Sequence, residues 1–76
     1  MNKIDITKIK LQTFIPVDSD IVSVEAIYNN NVIFSLDKTD GDTEMILSFG
    51  LITPGAEISL NDFLTLLEKA KKIHLN

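Results

Sequence analysis

The chain reads as an α+β fold: an antiparallel β-meander of three to four strands followed by one C-terminal α-helix packed on one face. Three observations predict it. Apolar residues alternate from residue 9 to residue 51, two short turn signals interrupt that alternation, and beyond Pro54-Gly55 the apolar spacing becomes helical. Residues 1–76 are expected to form a single small α+β domain, since 76 residues leave no room for a second core.

The first segment is the least regular. Ile9, Leu11, Thr13 and Ile15 alternate with Lys8, Lys10, Gln12 and Phe14, which predicts a strand ended by Pro16 and lying beside Ile21–Tyr28. Ile4 and Ile6 fall out of phase with it, so a bulge or a frayed start is expected there.

The middle of the chain predicts its own register. Val22, Val24, Ala26 and Tyr28 share one face of the second strand, and Val32, Phe34 and Leu36 share one face of the third. Met45, Leu47, Phe49 and Leu51 do the same in the fourth. A hairpin closed at Asp40-Gly41 sets Leu36 opposite Met45, Phe34 opposite Leu47 and Val32 opposite Phe49. A loop of Asn29, Asn30 and Asn31 sets Tyr28 opposite Val32, Ala26 opposite Phe34 and Val24 opposite Leu36. Both closures bring apolar faces together, and a slip of one residue would turn one strand's apolar face to solvent.

The helix has an N-terminal signature in Ser59, with Asp62 three residues on and Ile58 placed to staple onto Phe63. Leu60, Phe63, Leu64, Leu66, Leu67, Ala70 and Ile73 form a broad apolar stripe. Lys69, Lys71 and Lys72 fall in the last turns, where cations suit the helix dipole.

Composition narrows the function classes. Seven lysines against eleven acids give a formal net charge of −4, and arginine and cysteine are absent. Nucleic acid is therefore not an expected partner, because phosphate neutralisation needs clustered cations. Disulfides, thiolate metal sites and thiol nucleophiles are excluded outright. No apolar run approaches the roughly 20 residues of a membrane span, and no leader pattern is visible, so a cytoplasmic location without membrane attachment is expected.

Catalytic motifs are not expected either. The segment Asp37-Lys-Thr-Asp40-Gly41-Asp42-Thr-Glu44 resembles a calcium loop only superficially, since Leu36 and Lys38 stand where ligands belong. His74 is the single histidine and has no companion ligand, so it reads as a helix-end cap or an exposed terminal residue. The serines lack a nucleophile elbow or a base, and Gly41, Gly50 and Gly55 are too dispersed to cradle a phosphate. No cofactor, metal or enzymatic activity is expected.

What remains is the sheet face away from the helix. The expected register places Ile27 opposite Ile33 with Ile46 diagonal to it, and Glu25, Asp37 and Glu44 as an acidic border. An apolar centre with a charged rim has the anatomy of a protein-binding patch. The same isoleucines also suit an exposed strand that binds nothing, because β-branched residues favour strands wherever they sit. The expected function is a non-enzymatic, acidic protein-binding module, such as a small inhibitor or immunity-type protein that meets a basic partner through these six residues. The alternative is a self-associating accessory subunit, a homodimer through a sheet edge or the outer sheet face.

Overall fold

A computed structural model describes residues 2–39, 41, 43–50 and 54–75. In chain order it contains β1 (Asn2–Lys3), a 3-10 turn (Ile6–Lys8), β2 (Lys10–Phe14) and β3 (Ile21–Tyr28). These are followed by β4 (Asn31–Thr39), β5 (Met45–Phe49), β6 (Ala56–Glu57) and α1 (Leu60–Leu75). Strands β2-β3-β4-β5 form an antiparallel meander in that order, and β1 pairs in parallel with β6 in a separate two-stranded ribbon. The helix lies across β3 and β4, so the expected α+β meander is the architecture observed.

The strand beside β3 is where the alternation puts it. Leu11 pairs with Ala26 and Thr13 with Val24, while Lys10, Gln12 and Phe14 pair with Ile27, Glu25 and Ser23 on the opposite face. Upstream, the phase break at Ile4 and Ile6 is neither a bulge nor a frayed end. Ile4 is buried, and its amide donates to the Glu57 carbonyl at 2.6 Å beyond the end of the β1–β6 pairing. Asp5 then starts the 3-10 turn, its carboxylate accepting from the Thr7 amide at 3.0 Å and from the Thr7 hydroxyl at 2.7 Å.

The turn between β3 and β4 differs from expectation. It is a two-residue turn at Asn29-Asn30, both with positive φ (51° and 64°), as a type I′ hairpin requires. Tyr28 therefore pairs with Asn31, not Val32. Such a turn by itself would oppose the apolar faces of the two strands. An irregularity between Ala26 and Ile27 resolves the conflict: Ala26 pairs with Phe34 and Ile27 with Val32, leaving Ile33 as the extra residue of a bulge. Beyond the bulge, Val24 pairs with Leu36 and Ala26 with Phe34, as expected.

The hairpin at Gly41 is also wider than expected. Lys38 pairs with Met45, Leu36 with Leu47 and Phe34 with Phe49, a displacement of two residues from the expected partners. An even displacement keeps every side chain on its own face, so the apolar surfaces still coincide. Gly41 has φ 81°, whereas the other expected turn residue, Asp40, together with Asp42 and Leu51, lies outside the described residues.

Two buried clusters join the layers. Ile4, Ala26, Ile33, Phe34 and Leu66 form the larger one, with Phe63 meeting Phe34 edge-to-face at a centroid distance of 5.4 Å. Val24, Leu36 and Ala70 form the smaller one. The Ser59 carbonyl accepts the first helical hydrogen bond from the Phe63 amide at 2.9 Å, so Ser59 occupies the N-cap position. Ile58 and Phe63 both pack against the larger cluster and line one cleft at the helix start. At the other end His74 Nε2 lies 2.6 Å from the Leu36 carbonyl oxygen. A carbonyl only accepts, so this nitrogen carries the proton and donates. His74 thus ties the helix terminus to the central strand, and is neither a cap nor an exposed end residue.

Candidate functional site

The outer face of the sheet, away from α1, can be rebuilt row by row from the observed pairs. One row runs Phe14, Ser23, Asp37, Ile46, and the next runs Gln12, Glu25, Ser35, Ser48. A third runs Lys10, Ile27, Val32. Paired residues in antiparallel strands share a face, so these side chains stand together on one surface.

Of the six residues expected to line a docking patch, five keep to this surface or its rim. Glu25, Ile27 and Asp37 are half-buried among their strand neighbours, and Ile46 is 51% exposed. Glu44 is exposed and immediately precedes β5.

Ile33 does not belong to the patch. The bulge rotates it toward α1, where it is 6% exposed and packs in the larger core cluster. Classic bulges place two successive side chains of one strand on the same side, which is how Ile33 and Phe34 are both buried. Val32 takes the outer position beside Ile27 in its stead. The expected contiguous isoleucine centre is consequently divided: Ile27 with Val32 at one end, Ile46 at the other, and a polar row of Gln12, Glu25, Ser35 and Ser48 between them.

Asp37 is held in place on this face by two serines. Asp37 Oδ1 accepts from the Ser23 hydroxyl at 2.5 Å, and Oδ2 accepts from the Ser35 hydroxyl at 3.5 Å. The first bond is short and charge-assisted, and it orients the carboxylate across two strands. Among the described residues no group of three potential metal ligands converges.

Comparison with known proteins adds nothing to this geometry. No protein-family model, curated protein or solved structure matches the chain.

A second surface escaped the sequence reading. On the helix side of the sheet, α1 covers β3 and β4 and Met45 packs against the smaller cluster, but two inward-facing side chains of β5 are left open: Leu47 is 36% and Phe49 65% exposed. Phe49 and Phe63 border a small apolar cleft of about 90 Å³ with Ile4, Ile33, Ala56 and Ile58. Leu60 and Leu64, in the first turns of the helix, are exposed as well. Strand alternation places Leu47 and Phe49, and helical spacing places Leu60 and Leu64, among the residues expected to be buried. The signal that could have found them is width, because one helix roughly 10 Å across cannot roof four strands spaced about 4.8 Å apart.

Among the described residues no helix is long and apolar enough to cross a membrane.

Proposed function

We propose that the chain is a non-enzymatic, acidic protein-binding module of the inhibitor or immunity type, and that its partner presents a basic surface to the outer face of the sheet. The observation that carries this reading is the seating of Glu25 and Asp37 in the middle of a four-stranded face over which α1 does not pass, with Asp37 oriented by Ser23. A carboxylate held in place, as that of Asp37 is, loses little freedom when a lysine or arginine docks on it, which favours complementarity to a cationic partner. Ile27, Val32, Ile46 and Phe14 supply the apolar contacts beside those charges. The net charge of −4 steers association in the same direction.

Charge reversal tests the reading. Proteins retained by the immobilised chain are compared with those retained by Glu25→Lys/Glu44→Lys and by Asp18→Lys/Asp20→Lys. The two double variants carry equal net charge, so they separate a local effect from a general one. The expected outcome is loss of a basic partner with the first pair and its retention with the second. Equal losses would mean that overall charge governs association, and the outer face would then have no specific role.

A further inference from the structure

We infer that β5 is the seam of a homodimer, in which the edge strand of one copy pairs antiparallel with that of a second copy about a twofold axis normal to the sheet. This surface is separate from the outer face proposed above, and it stands on its own observations.

The two edges of the sheet are built differently. The β2 edge carries Lys10 and Gln12 and is followed closely by Pro16, features that discourage pairing with another chain. β5 reads Met-Ile-Leu-Ser-Phe, with no charge, proline or bulge, and among the described residues β4 is the one strand paired with it. The Gly50 amide donates to the Ile33 carbonyl at 2.9 Å, which makes Phe34 and Phe49 a non-hydrogen-bonded pair. Hydrogen bonding alternates along an antiparallel strand, so the amides and carbonyls of Met45, Leu47 and Phe49 point away from β4 toward the open edge.

The side chains of the same three residues lie on the helix side of the sheet, where Leu47 and Phe49 are exposed. A symmetric register centred on Leu47 uses the whole strand. It sets Leu47 against its own copy and Met45 against Phe49 in both directions, with about six backbone hydrogen bonds, two per pair. Apolar side chains then meet apolar side chains with no like charges opposed, as a self-complementary isologous contact requires. The result is a continuous eight-stranded sheet carrying both helices on one face.

The chain also exposes more surface than a compact monomer of its mass. A compact monomer of 8.5 kDa exposes about 4,700 Å² by the usual scaling. This chain exposes 5446 Å², a surplus of roughly 700 Å². That surplus belongs to the whole thin molecule, and the exposed Leu47 and Phe49 of β5 are part of it.

Sedimentation equilibrium of the full chain from low to high micromolar concentration should show reversible monomer–dimer association. Phe49→Lys, a change at a 65% exposed position, should leave the circular dichroism spectrum intact and abolish the dimer over the same range. Amide exchange at Met45, Leu47 and Phe49 should slow as the dimer fills, whereas the β2 edge should exchange independently of concentration. A monomer throughout the range overturns the inference. A dimer that survives Phe49→Lys, or in which those three amides exchange at their monomer rates, overturns it equally.

Discussion

Ile33 packs with Phe34 and Leu66 at 6% exposure, whereas Ile46 is 51% exposed on the outer face. Truncating a buried isoleucine removes its transfer free energy and leaves a cavity, so Ile33→Ala should cost about 2–5 kcal/mol. Ile46→Ala should change stability by no more than about 0.5 kcal/mol, as surface replacements generally do. Urea unfolding of the two variants checks the pair, and equal costs would place Ile33 outside the core. Asp5 provides a pH-dependent counterpart. The Thr7 hydroxyl, then the Thr7 amide, and last the charge of Lys8 outweigh a small desolvation effect and hold its carboxyl below the ordinary aspartate value. With the folded value depressed, its contribution is present above the unfolded value and is lost as pH falls through the folded one. Thr7→Val removes the largest cause, so NMR titration of that variant should find the Asp5 midpoint raised. An unmoved midpoint would contradict the assignment.

Among the elements, the β3–β4 hairpin shows two local preferences that disagree and the structural device that reconciles them. Asn29-Asn30 favours a two-residue turn with both residues at positive φ, while the apolar alternation of Val24, Ala26, Phe34 and Leu36 requires a different parity. One extra residue at Ile33 satisfies both. The neighbouring strand accommodates that bulge at Gly50. A Cβ built there would stand 2.1 Å from the Val32 carbonyl oxygen, a collision with backbone that no rotamer change relieves. Gly50→Ala should therefore destabilise by about 1–3 kcal/mol, the usual range for overpacking. Gly41→Ala meets nothing within 4 Å and serves as a control in which only the strain of its positive φ is felt. Thermal unfolding of both variants separates the two causes. A Gly50→Ala protein as stable as the parent would show that the two strands are not held this close.

For the whole molecule, the proportions decide what is covered. The Cα radius of gyration is 12.7 Å, against about 11 Å for a compact chain of this length, and the principal extents are 41 × 23 × 17 Å. A thin slab with one helix has little core per residue, and oligomerisation is a common remedy in domains this small. If the β5 seam forms, the melting temperature should rise with protein concentration, because association stabilises the native state by mass action. The Phe49→Lys protein should melt at one temperature at every concentration, and an equal dependence in both proteins would refute the seam.

The amino-acid sequence alone determined the α+β meander, the pairing of β2 with β3, the helix and the absence of thiol chemistry. Alternation, turn residues and charge are local properties, and they persist when a register moves by two, as it did from Leu36–Met45 to Leu36–Leu47. Only tertiary structure decided that Ile33 faces inward, that Ile27 and Ile46 stand apart, that His74 anchors the helix to Leu36, and that Leu47 and Phe49 lie uncovered. Each of these depends on where a bulge falls or how far a helix reaches across a sheet. Such quantities arise from packing between segments distant in the chain, and no window of neighbouring residues contains them.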